Sequence, residues 1–226
     1  GKEYYFRYTL FAVIDAHSRK IIGCDIAESE NTENILLGLE RAARNTGILP
    51  YEIVADNHSF NKTKEADNLK ARMDAYGVKW TVDSNPRRKA ILERTFRMLG
   101  DLHFKGKYGY IGQGIKSRIE KGITQQELKD IYTKPENMLS FQQVCAVAYT
   151  AIYDYNNRVR KSLGQSPEQR YEASQQPHSI KVDDFAIAAL FRRETNHKIT
   201  HGQITMQRGM HRYEYQLPAK YAAEYN

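Results

Sequence analysis

The sequence predicts a mixed α/β domain followed by a small β domain. Three observations predict it: strand and helix patterns that alternate over residues 8–102, a long amphipathic segment after residue 140, and alternating polar and apolar residues after 196. Strands that alternate with helical segments build a mixed sheet with helices on its faces. We therefore expect a core over residues 1–173, a linker and short helix over 174–195, and a small β domain over 196–226.

Periodicity and caps place the core elements. In order, we predict strands at 8–16 and 20–28, a helix between Asn31 and Gly47, a strand at 51–56, a helix over 64–76, a strand at 78–84 and a helix over 85–102. Asn31 or Thr32 suits the start of the first helix, and Gly47 suits its end. Asn85 can cap the third helix, because Pro86 then falls in its first turn.

The second half of the chain is predicted to hold a loop, a long helix, a short helix and the alternating segments of the β domain. Residues 103–123 hold five of the fourteen glycines and many basic residues, so we expect a mobile loop. Ser140 and Gln143 predict a capping box that opens a long helix. Its predicted apolar positions are Phe141, Cys145, Ala148, Ile152 and Tyr155. A short helix at 183–193 precedes alternating segments that turn at Gly202 and Gly209.

The charge distribution favours an anionic partner. The net charge is +7, and residues 85–121 hold ten Lys or Arg against three acids. Such a concentrated basic segment is the electrostatic footprint of nucleic-acid binding, although a solvated basic face gives the same count. Two cysteines make neither a disulfide framework nor a zinc cluster, which favours a reducing, cytoplasmic setting. No apolar run approaches the ~20 residues of a membrane span.

Two carboxylates are candidates for catalysis. Asp56 ends a buried strand, and Glu93, 37 positions later, lies in the early turns of a helix. If they converge, their oxygens suit Mg²⁺ or Mn²⁺, and two such ions about 4 Å apart catalyse displacement at phosphorus. The candidate phosphate contacts are Arg87, Arg88, Lys89, Arg94 and Arg97. The alternative is a surface salt-bridge ladder of Lys89, Glu93 and Arg97 at i, i+4 and i+8.

The segments "IVADNHSF" and "VDSNPRRKAILERTFRML" resemble the second and third acidic motifs of DDE transposases and retroviral integrases. "LFAVIDAHSRKIIGCDIAESENTENILLGL" is similar to the second and third strands and first helix of that family, and "YDYNNRVRKSLGQSPEQRYE" to the segment that closes many of its cores. "HKITHGQITMQRGMHRYEYQLP" resembles the opening of the β-barrel that follows the core in transposases of the phage Mu type.

This resemblance implies a ribonuclease-H-like core and a truncated barrel in a bacterial or phage DNA transposase. It also implies metal-dependent cleavage at the 3′ end of the element and strand transfer into target DNA. Asp56 and Glu93 become ligands of two Mg²⁺ (or Mn²⁺) ions. The implied partners are DNA, further copies of the chain in a homo-oligomer on DNA, and an ATPase, with no membrane.

One departure from the family concerns its first catalytic Asp, which lies on a central strand before the 8–28 hairpin. We therefore expect a fragment that lacks this strand, so that residues 1–226 alone are inactive. Asp15 is interpreted as a supporting residue, Asn57 as support for the Asp56 turn, and Asp25 as a surface strand residue. The alternatives are an inactive DNA-binding or assembly module of the same fold, and another ribonuclease-H-like nuclease.

Overall fold

The computed structural model describes residues 8–83, 86–104, 133, 138–161, 163–193, 198–208 and 211–222, with the backbone alone at 86–89, 207, 208, 211 and 222. The strands are β1 (Thr9–Ile14), β2 (Ile21–Ala27), β3 (Ile48–Leu49), β4 (Glu52–Ala55), β5 (Lys79–Val82), β6 (Ile180–Lys181), β7 (Ile199–Thr200), β8 (Gln203–Arg208) and β9 (His211–Gln216). The helices are α1 (Thr32–Thr46), α2 (Lys64–Ala75), α3 (Pro86–Leu99), α4 (Phe141–Asn157), α5 (Pro167–Glu172), α6 (Asp184–Phe191) and α7 (Ala219–Ala222). A 3₁₀ turn covers Ser59–Lys62, and a π-helical turn covers Gly100–Phe104.

The seven predicted elements occur in the predicted order, with one further two-residue strand, β3, between α1 and β4. The predicted caps account for the helix ends described next. The Asn31 side chain accepts a hydrogen bond from the Asn34 N–H at the start of α1, and Gly47 ends that helix at φ +65°. Glycine, which has no Cβ, adopts this left-handed conformation at the least steric cost. The capping box of Ser140 and Gln143 opens α4 as predicted.

Antiparallel and parallel pairings both occur, so the predicted mixed α/β class is confirmed. β1 and β2 form an antiparallel hairpin that runs from Thr9↔Ala27 to Ile14↔Ile21. β4 and β5 are parallel, from Glu52↔Lys79 to Ala55↔Val82. In the part of the chain that the structure describes, these are separate two-stranded sheets, with no ladder joining β1 to β4.

Two apolar clusters hold the helices against these sheets. The first lies between α1, α2 and α6, and includes Leu49, Phe60, Leu69, Met73, Val78, Ile187 and Leu190. The second joins β2, α3 and α4, and includes Ile21, Cys24, Leu99, Ile152 and Tyr155. α1 lies so close to β2 that a Cβ on Gly23 would come 2.5 Å from the Gly38 carbonyl oxygen. The glycines therefore allow backbone contact between helix and strand.

Two sequence-based expectations about individual residues are wrong. Asp25 is not a surface residue: it is 7% exposed, because its strand face packs on α1. Its carboxylate accepts hydrogen bonds from Asn34 Nδ2 at 2.7 Å and from Arg41. Phe141 was expected on the buried side of α4 but is 45% exposed, at the first turn of the helix.

The chain divides into two compact units, Gly1–Phe191 and Arg192–Asn226, and residues 174–191 belong to the first. β6 pairs antiparallel with β3, and α6 buries Leu190 and Phe191 in the first cluster. The predicted boundaries at 173 and 195 stay predictions. No helix among the described residues is both long and apolar enough to cross a membrane.

The second unit holds a three-stranded antiparallel sheet in the order β7-β8-β9. His201 and Gly202, at φ +53° and +68°, form the turn that was predicted at Gly202. Whether these strands open a barrel stays a prediction. The turn at Gly209, the cap at Asn85 and most of the predicted mobile loop at 103–123 lie outside the described residues.

Candidate active site and its basic surroundings

The first candidate carboxylate lies at the carboxyl end of a parallel strand pair. Asp56 follows β4 directly and is exposed, and its Oδ1 accepts a hydrogen bond of 2.6 Å from the Asn57 N–H. The neighbouring strand β5 ends beside it, because the Asp83 N–H donates to the Ala55 carbonyl at 3.0 Å. Asp56 and Asp83 therefore each follow one residue of the pair Ala55↔Val82, at the carboxyl ends of β4 and β5. Ligands gather at this end of the strands in such sheets.

Asn61 fixes the loop that carries Asp56. Its Nδ2 donates to the Asp56 carbonyl at 2.7 Å, and its Oδ1 accepts from Trp80 Nε1 at 3.1 Å. Its own carbonyl accepts from Lys70 Nζ at 2.7 Å. Because Asn61 is 9% exposed, these bonds are shielded from water, and they connect the loop to both β5 and α2.

His58 joins the same loop to the β2–α1 connection. Its Nδ1 accepts a hydrogen bond of 3.2 Å from the Phe60 N–H, which caps the 3₁₀ turn. Its Nε2 lies 3.5 Å from Glu30 Oε2. Since Nδ1 is the acceptor, the proton of a neutral ring is on Nε2 and faces the Glu30 carboxylate.

The second candidate carboxylate, Glu93, lies on the solvent side of α3 together with Arg94 and Arg97. The opposite side of the helix is buried: the Thr95 hydroxyl lies 2.9 Å from the Tyr155 hydroxyl, and Leu99 is fully buried. Among the described side chains, Glu93 and Arg97 form no ion pair, so that half of the proposed ladder is absent. The side chains of Arg87, Arg88 and Lys89 lie outside the described part.

Asp15 has its carboxylate engaged within its own turn. Oδ2 accepts hydrogen bonds from the Ser18 N–H at 2.7 Å and from the Ser18 hydroxyl at 2.6 Å. The backbone N–H of Asp15 donates to the Lys20 carbonyl at 2.9 Å, and the Arg19 N–H donates to the Asp15 carbonyl at 2.9 Å. This carboxylate therefore closes the β1–β2 turn.

Two features were missed by the sequence analysis. Asp83 was not considered, because its place beside Asp56 depends on the register of β4 and β5. Arg94, Arg160 and Arg170 are distant from Arg19 in sequence but lie near it in the fold. Burial, and then the positive charges of Arg170, Arg160 and Arg94, lower the pKa of Arg19. A concentration of arginines in the closing segment 158–170 was the available signal.

The donor set at the Asp56 edge suits a hard divalent cation. Within the described residues, no three His, Cys, Asp or Glu side chains come together as a metal site. Mg²⁺, however, is commonly held by one or two carboxylates, with waters and substrate phosphates as its remaining ligands. Asp56 and Glu93 are exposed, which is compatible with a Mg²⁺ ion held by one or two carboxylates together with waters and phosphates.

Solved structures include chains that are similar to this one, and one of them is an integrase core domain. The catalytic core domain of HTLV-2 integrase, solved in complex with magnesium in a trimeric form, is similar to this chain with a TM-score of 0.47 and 16% sequence identity. The similarity covers 73% of this chain and 85% of that chain. No protein-family model and no curated protein matches the chain. Similarity at this level assigns no function.

Proposed function

We propose that this chain carries the catalytic core of a DDE-type polynucleotidyl transferase, a DNA transposase that cleaves the 3′ ends of its element and joins them to target DNA. The observation that carries the proposal is the exposed Asp56 carboxylate directly after β4, in a loop held by Asn61. The sequence motifs around Asp56 and Glu93 support it, as does the exposed position of Glu93 among basic residues. A ribonuclease-H-like sheet and a Mu-type barrel belong to the same proposal.

Asp56 and Glu93 are the proposed ligands of two Mg²⁺ or Mn²⁺ ions. When bound, such ions activate the attacking oxygen and stabilise the leaving oxygen of an in-line displacement at phosphorus. The Asn57 N–H holds the Asp56 carboxylate in place, and Asp15 supports the neighbouring turn. Asn57 and Asp15 are therefore given supporting roles, because their hydrogen bonds are to neighbouring residues of the same turn.

The basic residues of α3 are the proposed DNA contacts. Arg94 and Arg97 are exposed on the side of the helix that carries Glu93, and Arg87, Arg88 and Lys89 precede them in the same helix. Arginine and lysine hold backbone phosphates irrespective of sequence, so these residues would position DNA without selecting it. Assembly as a homo-oligomer on DNA ends and use of a partner ATPase complete the proposal.

Manganese binding tests the assignment independently of turnover. Water-proton relaxation with Mn²⁺ gives a dissociation constant for the protein without DNA. We expect Asp56→Asn and Glu93→Gln each to weaken Mn²⁺ binding by at least about tenfold, which is about 1.4 kcal/mol. Asp74→Asn, which neutralises an exposed carboxylate on α2, is the matched control and should change nothing. Equal Mn²⁺ affinity in all four proteins contradicts the proposal.

In the protein as the cell makes it, the same two substitutions should abolish 3′-end cleavage and strand joining while DNA binding is retained. Joined products that need Asp15 would instead make Asp15 a catalytic carboxylate.

A DNA-binding or assembly module without activity is the second candidate. The exposed Arg94 and Arg97 on α3 favour it, because contacts to DNA phosphates need no metal site. In that case Mn²⁺ binds no more tightly to the unsubstituted protein than to Asp56→Asn, while DNA binding persists.

A further inference from the structure

Four arginines from separate elements lie near one another, because the charges of three of them act on the fourth, Arg19. They are Arg19 in the β1–β2 turn, Arg94 on α3, Arg160 after α4 and Arg170 on α5. We call them the arginine cluster. The Arg160 guanidinium lies 4.6 Å from the centre of the Tyr155 ring, so the aromatic face supports it.

Specific contacts hold these elements together. Lys20, next to Arg19, forms an ion pair with Glu168 and lies 4.6 Å from the Tyr171 ring, which fixes the β1–β2 turn against α5. The Thr95 hydroxyl, next to Arg94, is hydrogen-bonded to the Tyr155 hydroxyl, which fixes α3 against α4. The arginine cluster is therefore built by the fold.

The charge of the cluster is not compensated within the described structure. None of the four guanidinium groups forms an ion pair with a described carboxylate, and Glu168, which is close by, is already paired with Lys20. Among the described residues, Arg19 Nη1 and Arg160 Nη2 are buried atoms that have no hydrogen-bond partner. Buried cationic donors without partners are costly unless something anionic completes them.

We propose that the arginine cluster binds a phosphodiester group of the DNA backbone. A guanidinium presents two parallel N–H donors, which match the two non-bridging oxygens of a phosphate. Arg94 directly follows Glu93 in α3, so DNA that enters the cluster passes next to the carboxylate-bearing helix. The identity of the ligand as DNA rests on the proposed function. Free inorganic phosphate shares the same chemistry, and the experiment separates the two.

The salt dependence of DNA binding is the first measurement. We expect Arg160→Gln to weaken binding of a duplex oligonucleotide about tenfold at moderate salt. The slope of log affinity against log salt should fall in magnitude by about 0.9, the value for one lost phosphate contact. Arg158→Gln removes the same charge from an exposed side chain two residues away, and should leave the slope unchanged. Arg19→Gln is a second variant with the same expected loss.

Thermal unfolding without DNA is the second measurement. Arg160→Gln should keep or raise the melting temperature, because it removes a half-buried guanidinium whose buried Nη2 has no hydrogen-bond partner among the described residues. Inorganic phosphate, exchanged for chloride at constant ionic strength, should raise the melting temperature of the unsubstituted protein but not of Arg160→Gln. A variant that melts earlier and binds DNA with the control's slope shows that Arg160 is structural, which overturns the proposal.

The remaining outcomes are equally decisive. Protection by phosphate with an unchanged DNA slope identifies free phosphate as the ligand and overturns the assignment to DNA. Failure of the Mn²⁺ experiment at Asp56 and Glu93 with a reduced slope here would refute the catalytic proposal and retain the phosphodiester site. The two proposals therefore fail separately.

Discussion

Two groups of charged side chains in the first compact unit differ in how their charge is satisfied. Asp25 is buried on β2, and both of its oxygens accept hydrogen bonds, one from Asn34 and one from Arg41. Arg41 also donates to the Cys24 carbonyl at 3.0 Å. In the arginine cluster, by contrast, Arg19 and Arg160 each bury one guanidinium nitrogen that has no hydrogen-bond partner in the part of the chain that the structure describes.

The Asp25–Arg41 pair stabilises the folded protein by itself, whereas we expect the arginine cluster to be stabilised by a bound anion. A buried carboxylate with two donors is stable in the folded protein alone, and it fixes the orientation of α1 on β2. A buried guanidinium with free donors lowers stability until an anion binds. Substitutions at Arg41 and at Arg160 should therefore have opposite effects on the free energy of unfolding.

Removal of the Arg41 charge should have the largest effect. Arg41→Met leaves the Asp25 carboxylate buried, with Asn34 as its remaining partner among the described residues, and we expect the free energy of unfolding to fall by about 3 kcal/mol. Urea denaturation measures it. Arg44→Met, which breaks exposed contacts to Glu40 and Asp184, should cost less than about 1 kcal/mol.

A rescue experiment isolates the charge from the packing. Asp25→Asn, added to Arg41→Met, neutralises the carboxylate that has lost Arg41 as a partner. Part of the lost free energy of unfolding should therefore return. If the double variant is as unstable as the sum of the two single variants, the interaction between Asp25 and Arg41 is not electrostatic.

The titration of Cys24 measures whether water reaches the side of β2 that packs against α3 and α4. Burial raises the pKa of its thiol from 9.0 to about 11. The unfolded chain then releases the thiol proton near pH 9 while the folded protein keeps it, so stability is present below pH 9 and is lost as the pH rises through 11. We expect this thiol to account for a loss of about 2 kcal/mol between pH 9 and pH 11.

The measurement compares urea denaturation at both pH values with that of Cys24→Ala, in which this part of the pH dependence should disappear. Cys145→Ala, at a partly exposed thiol on α4, should remove less of it. An identical pH dependence in the protein and in Cys24→Ala would mean that water reaches Cys24.

The order of the core elements was predictable because its signals are local. Asn31, Gly47 and the capping box of Ser140 and Gln143 lie within a few residues of the helix ends that they specify. The two-residue strands β3 and β6 were missed, since alternation needs more than two residues to be recognised.

The burial of Asp25 was not predictable, because alternation distinguishes the two faces of a strand without showing what covers each. The position of Asp83 beside Asp56 depends on a strand register that no short motif encodes. The arginine cluster combines positions separated by about 150 residues, so only the folded chain brings Arg19 to Arg170. The candidate carboxylates Asp56 and Glu93 were identified from sequence motifs. The distance between them stays a prediction.

The smallest predicted effect concerns the hydrogen bond that connects the candidate site to the arginine cluster. Thr95 follows Glu93 and Arg94 on α3, and its hydroxyl contacts the Tyr155 hydroxyl, whose ring lies under Arg160. Thr95→Val and Tyr155→Phe should each reduce the free energy of unfolding by about 1 kcal/mol, and the double variant should cost no more than either one. Both substitutions keep the apolar contacts, so the coupling reports the hydrogen bond alone. Additive losses would mean that the hydroxyls act independently, and that α3 is held against α4 by packing around Leu99 instead.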